Sequence, residues 1–129
     1  MSAEETAFER GERIRRRVLG DEHVDRSLAR RDGAEPTDFQ RLLTEFGWGA
    51  VWSRPQLEPR IRSLITVAML IALNRPDELV IHLRGALRNG VTEEELREEI
   101  IHAVPYCGFP AALDASRVAD EVFAGLSGS

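Results

Sequence analysis

Three residues at helical spacing, Arg75, Glu78 and His82, bring a guanidinium, a carboxylate and an imidazole to one side of a helix. Placed on a wheel at about 100° per residue, Arg75 to Asn89 shows an apolar arc of Leu79, Val80, Leu83 and Leu87. Arg75, Glu78, His82 and Asn89 border that arc, whereas Asp77, Arg84 and Arg88 lie opposite. A polar row beside an apolar arc is where side chains can line a cleft between helices. The same row also reads as an exposed Glu78–His82 pair, worth about 0.2–0.5 kcal/mol. A second concentration holds both tryptophans, Trp48 and Trp52, with Arg54, Arg60 and Arg62 behind them. It fits an aromatic wall with guanidinium forks for a carboxylate ligand, or tryptophans filling core or subunit contact beside solvated arginines. Tyr106, the single tyrosine, stands between Pro105 and Gly108 in an expected inter-helix turn.

The rest of the inventory narrows the chemistry. All 17 basic residues are arginine, so lysine Schiff-base chemistry and a covalently held pyridoxal cofactor are excluded. The single cysteine, Cys107, excludes an intrachain disulfide, a CxxC redox pair and a multi-cysteine metal site. Three histidines, His23, His82 and His102, leave little for a histidine metal cage, and no metal ligands are assigned. A net charge of −5 argues against a nucleic-acid partner. The arginine run Arg13, Arg15, Arg16 and Arg17 interleaves with Glu9 and Glu12 as a solvated helix face or an oligomer contact. The start shows no secretory h-region, and the longest apolar run, Leu64 to Leu73, is about half a membrane span. The expectation is a cytoplasmic protein with one domain over residues 1–129.

The elements that must carry these residues read as helices, since no strict alternation lasts long enough for a strand. The first is expected over Ala3–Val18, stopping at Gly20. Beyond a break at 33–38, the next has Phe39, Leu42, Leu43 and Phe46 on one face, followed by an irregular aromatic segment, 47–55. A third begins near Leu57, with Ile61, Leu64, Ile65, Ala68 and Ala72 expected on its inner face. The fourth runs from Pro76 to about Asn89, with Gly90 as cap. Thr92-Glu93-Glu94-Glu95 is a capping box with Val91 and Leu96 as its staple. That helix is expected to end before Pro105, and the last to span Pro110–Phe123.

Several blocks together resemble the γ-carboxymuconolactone decarboxylase family, over about residues 10–123. They are Val18 to Asp25, Trp48-Gly49, Trp52 to Pro55, Arg62 to Thr66, Ala68 to Arg75, Glu78-Leu79, His82 to Leu87, Asn89-Gly90, and Tyr106 with Gly108 and Pro110 to Ala112. The resemblance implies an all-α, alkylhydroperoxidase-D-like bundle of about six helices, assembled as a homotrimer or homohexamer. In the thiol-dependent branch of that superfamily a CxxC pair precedes a histidine that matches His82. Arg75 and Glu78 occupy the cysteine positions here, and Ser63 that of the assisting glutamate, so the peroxidase apparatus is absent.

The implied reaction is loss of CO2 from 4-carboxymuconolactone to give the β-ketoadipate enol-lactone, in protocatechuate breakdown. No cofactor is needed, because the departing carboxylate is conjugated through the ring alkene to the lactone carbonyl. The residues then take roles: His82 as proton donor and Glu78 as its orienting or relaying partner. Arg62, Arg75 and Arg54 bind carboxylates, while Trp48, Trp52 and Tyr106 shape the pocket. His102 and Cys107 receive no catalytic role. Two alternatives share these features: an enzyme of the same fold acting on another lactone or β-keto acid, and a non-catalytic helical oligomer.

Overall fold

The computed structural model describes residues 4–29, 31–32 and 35–127. These are all-α apart from a two-residue antiparallel ladder, and they form two compact units, Met1–Leu57 and Glu58–Ser129. Among the described residues there are seven α-helices and one π-helical segment, against the six helices expected.

The first unit holds α1 (Ala7–Leu19), α2 (Asp21–Leu28), the strands β1 (Arg31–Asp32) and β2 (Glu35–Pro36), α3 (Asp38–Leu42) and a π-helix, π1 (Leu43–Trp52). Thr6 caps α1 by accepting from the Glu9 N–H, and the helix stops at Gly20 as expected. The expected irregular aromatic segment is instead the second half of π1. With the ladder shifted from i→i−4 to i→i−5, Thr44, Trp48 and Gly49 turn inward, while Phe39 and Phe46 are each 70% exposed. The crossing of α1 and π1 is backbone-close. A Cβ on Gly11 would collide with the Thr44 carbonyl, and one on Gly49 would lie 2.6 Å from the Ala7 carbonyl. Arg10 Nε donates to the Gly49 carbonyl at 3.0 Å across the same crossing.

The second unit packs α4 (Pro59–Leu73), α5 (Pro76–Arg88), α6 (Glu93–Cys107) and α7 (Phe109–Ser127) around one apolar core. Pro59 and Pro76 sit in first turns, where a missing N–H costs nothing. Asn74 closes α4 in the left-handed region, φ 55°, giving its N–H to the Ile71 and Leu70 carbonyls. Leu83, Leu96, Val67 and Ala119 are fully buried; burying a leucine contributes about 1.5–3 kcal/mol.

One packing face and several boundaries differ from expectation. Helix α1 begins at Ala7, the expected Ala3 lying outside the described residues, α2 is an additional helix, and α7 runs Phe109–Ser127. The inner face of α4 is Ser63, Val67 and Ile71, with Leu64 and Leu70 partly buried, whereas Ile65, Ala68 and Ala72 are exposed. This helix is apolar on nearly every side, so periodicity carries little information about which side packs. Helix α6 continues through Pro105 to Cys107. Proline forfeits its own bond to Ile101, yet the Gly108 N–H still reaches the Val104 carbonyl at 2.9 Å. Gly108, at φ 88°, then turns the chain into α7.

Candidate functional site

Helix α5 carries the row Arg75, Glu78, His82. Its buried residues are Leu79, His82, Leu83, Gly85 and Ala86, so the arc that packs inward is turned toward the polar row rather than away from it. Gly85 and Ala86, both small and both buried, lie on that flank. His82 is only 9% exposed. Arg75 and Glu78, a turn or more earlier, are exposed, and Asn89 is half-buried. The imidazole is therefore held within packed structure, whereas the two charged groups stand at the open N-terminal end of the same helix.

Arg75 also borders a small cleft with Asn74, Pro76, Leu79, Ala111, Asp114 and others. Its volume of about 10 Å³ admits one water at most, so a lactone cannot occupy it. Arg62 is half-buried on the first turn of α4. Beside it, the buried Ser63 hydroxyl accepts from Asn89 Nδ2 at 2.8 Å, tying the start of α4 to the end of α5.

In the first unit, π1 brings the two tryptophans together. Their ring centroids are 4.9 Å apart at 34°, with Trp48 buried and Trp52 half-buried. Arg54 is exposed just beyond π1, its N–H bonded to the Val51 carbonyl at 3.1 Å. Tyr106 lies in the last turn of α6, not in an inter-helix turn. It is 78% exposed and tilted against His102, with centroids 5.3 Å apart.

One group went unmarked by sequence reasoning. Leu64 with Glu94, Glu95, Glu98, Glu99 and His102 lines a groove of about 460 Å³ in the second unit. Burial pushes the Glu99 carboxyl up to about 7, and its Oε1 is enclosed with no hydrogen-bond partner. Glu95 is held below the ordinary carboxylate range by the Thr92 backbone N–H and then by the Arg60 guanidinium. The groove is large enough for a small molecule, but four carboxylates make it unsuited to a dianion. Among the described residues, no group of three or more His, Cys, Asp or Glu side chains is placed to hold a metal ion. Nor is any helix among them long and apolar enough to cross a membrane.

The carboxymuconolactone decarboxylase family matches residues 37–121, more than half of the chain. A 4-carboxymuconolactone decarboxylase of Acinetobacter baylyi is 46% identical over 123 residues, covering 95% of this chain and 91% of that protein. A nitrosuccinic acid decarboxylase of Metarhizium robertsii is 43% identical over 112 residues, covering 84% of this chain and 75% of its own. The chain belongs to the carboxymuconolactone decarboxylase family.

Proposed function

We propose that the protein decarboxylates 4-carboxymuconolactone to the β-ketoadipate enol-lactone and CO2, without a cofactor. The observation that carries this reading is the 46% identity to a decarboxylase of that name over nearly the whole of both chains. In the reaction the bond from the ring carbon to the carboxylate breaks, and its electron pair moves through the ring alkene onto the lactone oxygen. The resulting dienolate takes a proton at the carbon next to the lactone carbonyl. The protein must therefore hold a dianion, stabilise the developing oxyanion and deliver one proton.

His82 is the proton donor in this scheme. Its burial on α5 keeps most bulk water from the imidazole. Arg62 and Arg75 bind carboxylates, and donors aimed at a developing oxyanion typically contribute about 3–4 kcal/mol. Glu78 acts on His82 from one helical turn away. Trp48, Trp52 and Arg54 are assigned substrate contacts, each tested singly by its effect on KM. Tyr106, exposed in the protomer, shapes a pocket only across a subunit contact, which the homotrimer or homohexamer of this reading would provide.

The test is an ultraviolet and CO2-release assay on metal-stripped protein with 4-carboxymuconolactone. Turnover at undiminished rate is expected. Its absence overturns the substrate assignment, and dependence on added metal overturns the cofactor-free part. A second reading, a decarboxylase of another acid, is favoured by the relative named for nitrosuccinic acid. Turnover of nitrosuccinate in place of the lactone would decide for it.

A further inference from the structure

Helix α4 has two apolar sides. Taking Ser63 as zero and about 100° per residue, Val67, Ile71 and Leu64 lie within about 100° on one side. Ile61, Ile65, Ala68, Met69 and Ala72 cluster about the opposite direction, with Arg62 at the edge of that arc. The first side is packed against α5, α6 and α7, whereas Met69 and Leu73 are 59% and 62% exposed. Apolar burial alone scarcely distinguishes the two, because each side offers comparable hydrocarbon to the core. Arg62 is a weak constraint as well, since its long stem reaches water from many rotations.

Two directional contacts remain to select one rotation: the Arg60–Glu95 ion pair to α6, which is partly exposed and therefore weak, and a buried one at Ser63. Ser63 is 1% exposed, and a hydroxyl buried at a helix seam must find a partner or lose the free energy of its hydration. It finds one in Asn89 Nδ2 at 2.8 Å, on the residue that caps α5. The Asn89 backbone is itself fixed, its N–H reaching the Gly85 and Ala86 carbonyls at 3.0 and 3.1 Å. The donor thus stands on a rigid platform and points at one position on α4. Buried polar pairs of this kind select one packing among near-equal apolar ones.

We propose that the Asn89–Ser63 hydrogen bond fixes the rotation of α4 about its own axis, and thereby holds Arg62 on the outer arc where it binds substrate. Asn89 and Ser63 are positioning residues, acting through Arg62 and touching no substrate. The assignment of Arg62 rests on the function proposed above; the lock on α4 does not.

Two readouts separate these. Solvent paramagnetic relaxation of the Val67 and Ile71 methyls reports rotation directly. Both are protected in the native chain, and protection should fall in Asn89→Ala and in Ser63→Ala. With 4-carboxymuconolactone the same variants should raise KM roughly tenfold and leave kcat within about threefold, as misplacing a binding group does. The double variant should be no worse than either single one. Asn89→Asp, whose carboxylate can accept from the Ser63 hydroxyl, should restore both methyl protection and KM. Unchanged methyl protection in folded Asn89→Ala overturns the lock, whatever the kinetics. Methyl exposure with unchanged KM overturns the link to Arg62. Native protein inactive on the lactone overturns the proposed function, and the methyl signals still decide the lock.

Discussion

His82 is the one imidazole packed into the helical structure of the second unit, and the proposed chemistry converges on it. His82→Ala should lower kcat about 10²–10⁴-fold in the CO2-release assay; near-full turnover would remove it as the acid. Arg75→Ala should mainly raise KM, and a fall in kcat alone would contradict a holding role. Glu99 gives a pH-dependent signature. Its folded pKa lies above the unfolded value, so its contribution is fully present below about pH 4.5 and is lost as pH rises to about 7. Thermal melts should therefore show native stability declining across that window, a slope that Glu99→Gln should flatten when both proteins have the same mass. The α5 row was legible in the sequence because i, i+3 and i+4 spacing aligns residues whatever surrounds them. Glu99 was not, since it is one of five glutamates between 93 and 99 and only its packing beside Leu64 singles it out.

At the level of elements, the legible features were those set by local hydrogen bonding. The capping box is formed in both directions, Thr92 Oγ1 accepting from the Glu95 N–H and Glu95 Oε1 from the Thr92 N–H, each at 3.0 Å. Thr92→Ala should cost about 1 kcal/mol and lower the melting temperature by about 2–8 °C. The α1–π1 crossing gives a sharper test. Gly49→Ala places a methyl against the Ala7 carbonyl and should destabilise by about 1–3 kcal/mol in denaturant melts. Features set by tertiary contact stayed hidden. The apolar run Leu64–Leu73 fits either side of α4, and a π ladder has no compositional signature that separates 43–52 from an irregular segment.

For the whole molecule, exposed apolar side chains dominate the outlook. Phe39, Leu42 and Phe46 in the first unit, and Met69, Leu73, Ile101, Phe109 and Leu113 in the second, are between 59% and 70% exposed. Apolar groups left to water in such number are the surfaces that the proposed homotrimer or homohexamer would cover. Light scattering on a sizing column should give three or six times 14.5 kDa, and Met69→Asp should lower that mass. The all-α class was readable from the recurrence of 3.6-residue spacing along the chain. The number of copies was not, because a helix apolar all round announces burial without naming the neighbour that provides it.

The π-helix makes the first unit sensitive to chain length in a way that substitution does not reveal. Each of its turns accommodates about one residue more than an α-turn, so removing a single exposed position such as Ala50 would let one of those turns tighten into ordinary helix. Trp48 and Trp52 would then stand three apart on an α-turn instead of four apart on the π ladder, which changes the angle and spacing at which their rings meet. Sequence drift within residues 43–52 should accordingly accept replacement at its exposed positions far more readily than insertion or loss. The stacked indoles are kept in phase by how many residues the segment contains as much as by which ones.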